Sequence, residues 1–348
     1  MTSLTLALFG LVVAIALLSL AITAGVRAWA VSAQALVSPT ERCAHTIPTP
    51  HGGGVAIASA SMMLALMFSL MCWVPVTSML AFVGLGFAIM VLGVWDDFCN
   101  ISAKCRLFVH FVIVIVGLLS IPALPAFSFS GYEFDASSIR FFWPLQVVAW
   151  VWLINLYNFM DGIDGLAAVQ ALVLFGGMAL NFWYMGFAEW SWMCLFLLAA
   201  VLGFTILNWP PAKIFMGDGG SGFLGFIIGF LMLLSISQTM VSLWSWLILL
   251  VLFISDATVT LITRLITGQG VLQAHNLHAY QKLSRRCGRH LPVTAGYGLV
   301  MLLVLVPVSW LANVFSQSGP FLFALVFALC SSFMMVTGAG QIEAPDAD

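Results

Sequence analysis

From Ser3 to Thr23 the chain runs without a charged side chain, and apolar stretches of similar length recur as far as Val336. Eleven can be drawn, near 3–24, 54–74, 78–95, 107–124, 143–160, 166–184, 190–207, 222–238, 242–263, 293–314 and 319–336. A helix needs about 20 apolar residues to cross the hydrocarbon core of a bilayer. Backbone surrounded by lipid must also satisfy its own hydrogen bonds, which leaves helices or closed barrels. Barrel strands are short and alternate apolar with polar residues, whereas these segments are continuous. The expected fold is an all-α polytopic membrane protein of about eleven transmembrane helices.

Composition excludes the alternatives. Charged residues make up 7% of the chain, against about 25% in a soluble domain. Disordered chains are poor in aromatics, and this one holds 28 Phe and 13 Trp. A net charge of −2 supplies no basic footprint for nucleic acid. The seven cysteines are scattered and form no CxxC pair, so neither a disulfide framework nor a zinc site is expected. No cleavable signal is evident at the start: the first stretch lacks a basic n-region and a small-x-small cleavage site.

The few charges are sorted. With eleven spans, Arg27, Arg42, Lys104, Arg106, Lys213, Arg264, Lys282, Arg285, Arg286 and Arg289 all fall on one side, and only Arg140 falls on the other. The positive-inside rule makes the first side cytoplasmic. The N-terminus is then outside and the C-terminus cytoplasmic. Residues 1–336 read as a single integral membrane catalytic domain, and residues 337–348 as a short, flexible, acidic cytoplasmic tail. Asp96, Asp97, Asp161, Asp164, Asp218 and Asp256 collect toward the same inner face. Carboxylates at a membrane boundary need a reason, and six of them at one face imply a site.

Four constellations carry that site. In GVWDDFCNISAKCR, residues 93–106, adjacent Asp96 and Asp97 close an apolar span and point about 100° apart on a helix. Lys104 and Arg106 follow, placed to neutralise the pair or to bind phosphate. In NLYNFMDGIDGLAA, residues 155–168, Asn155, Asn158, Asp161 and Asp164 recur every third residue before two glycines break the helix. Carboxamides and carboxylates together suit recognition of a sugar or nucleotide and the shell of a metal. In NWPPAKIFMGDGGSGFLG, residues 208–225, Asp218 stands in a glycine-rich entry to a helix, where N–H groups meet anions and a carboxylate adds a Mg²⁺ ligand. It is no Walker A loop, because the GxxxxGK[ST] lysine is absent. In RLITGQGVLQAHNLHAYQKLSRR, residues 264–286, His275 and His278 are three apart and suited to a pyrophosphate or a sugar. A donor set of carboxylates and amides without a placed cysteine favours Mg²⁺, or Mn²⁺ in its stead, over zinc. Asp256, inside the ninth segment, reads equally as a helix-packing polar residue or as a group supporting the site. A fifth stretch, ERCAHTIPTPHGGGVAI, residues 41–57, adds His45 and His51 in a loop stiffened by Pro48 and Pro50.

Such a face can bring a polar donor from the cytosol to an apolar acceptor from the bilayer, with Mg²⁺ neutralising a leaving phosphate. The motifs DD after a span, NxxNxxDGxDGLA, FMGDGGSGFLG and the late histidine segment, in this order over residues 41–282, resemble those of the polyprenyl-phosphate N-acetylhexosamine-1-phosphate transferases (glycosyltransferase family 4). The eleven-span layout resembles the branch that initiates O-antigen and lipopolysaccharide synthesis. AHNLHAYQ is similar to that branch's AHRSHxYQ, with Asn276–Leu277 in place of Arg-Ser. IPTPHGGGVAI is similar to its PTPRGGG, with His51 in place of Arg.

The resemblance implies transfer of an N-acetylamino-sugar 1-phosphate from a UDP-sugar to undecaprenyl phosphate with Mg²⁺, releasing UMP. The implied setting is the bacterial inner membrane, with the active site on its cytoplasmic face and a product that feeds surface polysaccharide or cell wall biogenesis. N-acetylfucosamine, N-acetylquinovosamine and N-acetylglucosamine donors are all compatible, as is a homodimer. It implies catalytic roles for Asp96, Asp97, Asp161, Asp164 and Asp218, with Asp218 and Asp161 on the metal. Asn155, Asn158, Lys104, Arg106, His45, His51, His275 and His278 would bind the substrates. The contrasting reading is a transporter or flippase that uses intramembrane charge for coupling. The carboxylates at one face rather than the midplane, and the lack of an inverted repeat, weigh against it.

Overall fold

The computed structural model describes residues 3–34, 36–37, 48–71, 73–121, 127–129, 132–134, 143–270 and 275–342. His45 lies outside the described residues, as do Arg42 and Arg140. Long helices dominate: α1 (Ser3–Ser32), α2 (Gly54–Leu70), α3 (Val76–Cys99), α4 (Ala103–Leu119), α5 (Trp143–Met160), α6 (Leu166–Tyr184), α7 (Ala188–Asn208), α8 (Asp218–Gln238) and α9 (Leu243–Ile266). A short α10 (Ala279–Cys287) precedes α11 (Leu291–Val300), which passes through a π turn at Met301–Leu305 into α12 (Val306–Val314). The last is α13 (Gly319–Val336). A 3₁₀ turn at Ser316–Ser318 and two antiparallel ladders, Leu36–Val37 with Thr49–Pro50 and Phe127–Phe129 with Tyr132–Phe134, complete the described elements.

All eleven apolar segments are represented by helix. Among the described residues, eight helical stretches are long and apolar enough to cross a membrane: 5–32, α3, α6, α7, α8, α9, 291–314 and 316–336. The other three segments form α2 and α4, of 17 residues each, and α5, of 18. The chain is a multi-pass α-helical membrane protein. Its outer helices show the inverted surface that lipid allows, with Leu6, Val13 and Leu17 of α1 and Phe321, Leu325 and Leu329 of α13 exposed.

The core is organised around α8. In its apolar stretch 89% of residues are buried, against 17% in α1 and 22% in the stretch that forms α13. Small residues let neighbouring backbones approach it, as in other membrane helix pairs. A methyl group at Gly220 would run into the Cα of Gly54, so α2 and α8 cross there backbone to backbone. Trp150 of α5 stacks on Phe226 of α8 with ring centroids 5.4 Å apart, and its Nε1 donates to the Phe226 carbonyl at 3.0 Å. The central helix therefore begins, at Asp218, where α2, α3 and α5 also have their site-side ends.

Beyond α13 the chain stays packed. Thr337 and Ala339 are buried. Lys282 Nζ donates to the Gln341 carbonyl at 2.7 Å, and Gly340 N donates to the Leu277 carbonyl at 2.9 Å. Gln269 Nε2 donates to the Gly340 carbonyl at 3.0 Å. The first residues of the segment expected to be a tail thus lie against α10 and the histidine loop.

Candidate active site

The glycine-rich loop that leads into α8 is held by the proline-glycine loop before α2. Phe215 N donates to the Pro50 carbonyl, Gly53 N to the Phe215 carbonyl and Gly54 N to the Met216 carbonyl, each at 2.9 Å. His51 meets the ring of Phe215 edge to face, 5.7 Å between centroids. PTPHGGG and FMGDGG are therefore one structure, and His51 lies at its edge. At Gly217 the backbone takes φ +77°, and a methyl group there would strike Asp97 Oδ2. The turn needs glycine on both counts.

That turn delivers Asp218 into a ring of partners from three other helices. Asp97, at the end of α3, accepts a hydrogen bond from Asp218 N at 3.0 Å. Asn158 of α5 donates to Asp218 Oδ1 at 2.7 Å and reaches Ser221 at 3.3 Å. Arg106 of α4 donates to Asp218 Oδ2 at 3.0 Å and to Asp96 Oδ2. The other oxygen of Asp96 accepts from Ile101 N at 2.7 Å, which closes the turn between α3 and α4. The two adjacent aspartates have separate work: Asp96 holds Arg106, and Asp97 holds the backbone of α8. Lys104, two residues before Arg106, is exposed and makes no hydrogen bond to these carboxylates among the described residues.

Asp161 joins the cluster electrostatically. Burial, and then the neighbouring charges of Asp218, Asp97 and Asp164, push its carboxyl well above the usual range. Asp164 has a different setting. Its Oδ2 accepts from Ala212 N at 2.9 Å, and Oδ1 lies 3.2 Å from His290 Nδ1. Its carbonyl accepts from Thr294 at 2.7 Å. Asp164 thus pins the DG turn to α11 and to the loop before α8, with Asn208 accepting from Gly165 N at 3.1 Å. His290 falls outside every quoted stretch, and Asn208 opens the third without being singled out in it.

The histidine segment forms the opposite wall. His278 is 4% exposed, and its Nδ1 lies 3.2 Å from Asp256 Oδ1. Asp256, fully buried in α9, also accepts from Ala279 N at 2.9 Å and Tyr280 N at 3.0 Å. It caps the first turn of α10 from a neighbouring helix and fixes the His278 ring at the same time. His275 stacks on His278, 5.0 Å between centroids. Burial and the nearby His278 and Arg264 lower the His275 imidazole to about 4, so it is neutral at neutral pH. Tyr280 donates to the Phe159 carbonyl at 2.8 Å, tying α10 to the end of α5.

Between these walls lies a cavity of about 380 Å³. Arg106, Asn155, Asn158, His275, His278 and Gln281 are among its polar residues, and Trp152 and Phe159 among its apolar ones. Five residues expected to bind substrate thus share one space, continuous with the carboxylates through Arg106 and Asn158.

Sequence comparison points the same way. The glycosyl transferase family 4 model matches residues 79–236. A Bacillus subtilis (strain 168) protein described as a probable undecaprenyl-phosphate N-acetylglucosaminyl 1-phosphate transferase is 32% identical over 268 residues, covering 76% of this chain and 74% of the relative. The phospho-N-acetylmuramoyl-pentapeptide-transferase of Prochlorococcus marinus is 29% identical over 243 residues, 64% of each chain. That of Halalkalibacterium halodurans is 32% identical over 190 residues, 51% of this chain and 58% of the relative.

Proposed function

This chain belongs to the polyprenyl-phosphate N-acetylhexosamine-1-phosphate transferases, and on that premise we propose that it moves an N-acetylamino-sugar 1-phosphate from a UDP-sugar to undecaprenyl phosphate. An oxygen of the acceptor phosphate becomes bonded to the sugar-bearing phosphorus, the pyrophosphate bond of the donor breaks, and UMP leaves. The observation that carries the reading is the single cavity in which Arg106, Asn155, Asn158, His275 and His278 stand beside the Asp96–Asp97–Asp218 cluster. Basic and amide groups there receive phosphates and a sugar, while the carboxylates would hold the cation that offsets phosphate charge during transfer.

The cluster suits Mg²⁺, with Mn²⁺ as substitute. Its donors are hard oxygens, and only Arg106 offsets the Asp96–Asp218 pair in the described bonds. Among the described residues no three of Asp, Glu, His and Cys are set around one point for an ion. A cation there would be held by one or two carboxylates together with substrate phosphates. Asp218 and Asp161 are the residues that would hold it, and it would neutralise charge on the leaving phosphate. In the protein's own part, Asn158 orients Asp218, Asp97 fixes the start of α8, and Arg106 binds phosphate once released from Asp96. His275, neutral at neutral pH, and His278 beside it hydrogen-bond the donor.

The eleven helical segments would cross the membrane with the N-terminus outside. The basic loops and the site would face the cytoplasm of a bacterial inner membrane. AHNLHAYQ and IPTPHGGGVAI favour a role in starting O-antigen or a related surface polysaccharide, with N-acetylfucosamine, N-acetylquinovosamine or N-acetylglucosamine as the sugar. The test is incubation of the purified protein with undecaprenyl phosphate and a panel of radiolabelled UDP-N-acetylamino sugars, with Mg²⁺, Mn²⁺ or a chelator. Labelled lipid and UMP, formed with one donor and lost with chelator, are expected. No labelled lipid from any donor overturns the reading.

A further inference from the structure

His110 lies in α4 four residues beyond Arg106, is 6% exposed, and has no hydrogen-bond partner at Nδ1. A buried polar nitrogen left unsatisfied costs about 1–3 kcal/mol, a cost that a hydrogen-bonding ligand beside His110 would remove. It lines a small cavity of about 10 Å³, whose other polar residues are Arg106, Asn155, Asn158 and Asp218. That is room for one water-sized group. Neither a nucleoside nor a sugar fits, but a phosphate oxygen does.

The position of this cavity is set by four helices. His110 is a turn past Arg106 on α4, and Gly222 is a turn past Asp218 on α8. Gly93 precedes Asp96 and Asp97 by a turn on α3, and Asn155 precedes Asn158 by a turn on α5. On each helix one lining residue is therefore a turn further from the site-side end than the residue in the carboxylate cluster. The small cavity runs from Asp218, which forms part of its wall, one turn deeper along the helices. Arg106, Asn155 and Asn158 line both it and the larger cavity, so they form the partition between the two.

We propose that His110 binds the phosphate of the lipid acceptor, its Nδ1–H donating a hydrogen bond to a phosphate oxygen in the small cavity. The inference rests on the reading that a polyprenyl phosphate is the acceptor. It adds that the acceptor phosphate lies on the Asp218 side of the Arg106–Asn155–Asn158 partition and the donor on the other.

The test compares His110→Leu, which removes the hydrogen bond at similar bulk, with His110→Gln, which keeps one. In nanodiscs, wild type is expected to bind undecaprenyl phosphate at least about tenfold more tightly than undecaprenol, and His110→Leu to lose that preference while His110→Gln keeps most of it. In the transfer assay His110→Leu raises KM for undecaprenyl phosphate by about tenfold or more and leaves KM for the UDP-sugar within about twofold. Retention of the phosphate preference by His110→Leu overturns the proposal, as does an equal rise in both KM values. A change in melting temperature alone, the mark of a residue that holds only a water, also overturns it. If wild type transfers no sugar yet prefers the phosphate through His110, the functional reading fails and this one stands.

Discussion

Arg106 donates to Asp218 Oδ2 at 3.0 Å while also holding Asp96, so one guanidinium links the end of α3 to the start of α8. The side chain that would bind phosphate is the one that neutralises the carboxylates before a cation does. Replacing it by Met leaves part-buried carboxylates facing each other, at a cost of about 1–3 kcal/mol. Arg106→Met is expected to lose sugar transfer and to melt lower than wild type. Its melting temperature should also rise more than that of wild type when Mg²⁺ is added. Equal Mg²⁺ responses in thermal unfolding would show that Arg106 and the cation do not share the cluster.

Asp218→Asn preserves shape. The amide oxygen still accepts from Asn158 or Arg106, so the protein should fold and keep its melting temperature within a few degrees. Loss of the charge where a leaving phosphate is stabilised should reduce kcat by about 10²–10³-fold or more. Steady-state UMP release gives the answer, and an unchanged kcat removes Asp218 from the reacting centre.

Asp256 acts through His278 and the first turn of α10. Asp256→Ala strips a cap from two backbone N–H groups and frees the imidazole. It should lower stability and raise KM for the UDP-sugar. Asp256→Asn keeps an acceptor for one of the two N–H groups and removes the charge beside Nδ1, so it should melt between Asp256→Ala and wild type. A drop in kcat/KM of about tenfold, roughly 1.4 kcal/mol, is expected. If Asp256→Asn matches wild type, the residue serves only as a helix cap.

The raised Asp161 carboxyl gives the site a pH dependence of definite sign. The folded protein holds this proton more tightly than the unfolded chain does. Its stabilising contribution is full below the unfolded value of about 3.9 and is lost as pH rises through the folded value. A cation at Asp161 competes with the same proton. The apparent affinity for Mg²⁺ should therefore climb with pH, by up to about tenfold per unit while one proton is displaced. Titrating UMP release with Mg²⁺ at several pH values measures the slope, and Asp161→Asn should flatten it.

The helices and the motif residues were legible because charge is scarce and membrane segments are long. Asp96, Asp97, Asp218 and Asn158 stand out against apolar neighbours, and their union in one cluster follows from each lying at the same end of its helix. The divided labour of Asp96 and Asp97 was legible only as an expectation of difference, since two neighbours on a helix cannot face the same way. The tie between the Pro50–Gly54 loop and Phe215–Met216 was not, because backbone hydrogen bonds between distant loops leave no mark in side-chain pattern. Asp256 was ambiguous for a physical reason: a buried carboxylate serves packing or a partner, and only the placement of Ala279, Tyr280 and His278 decides. Asp164 shares the every-third-residue stripe with Asn158 and Asp161. The break at Gly162 turns it toward His290 and Ala212, away from the bonds that hold Asp218. His110 carries no motif at all, and its meaning comes from the helices around it.

The docking of Gly340 and Gln341 onto Leu277 and Lys282 also bears on the order in which the enzyme is made. Every motif residue has been synthesised by the time α10 leaves the ribosome, yet the segment that braces the histidine loop comes only after α11, α12 and α13 have entered the membrane. The donor wall cannot take its braced form until insertion has passed Val336. The brace on the histidine loop is thereby the last part of the site to be made.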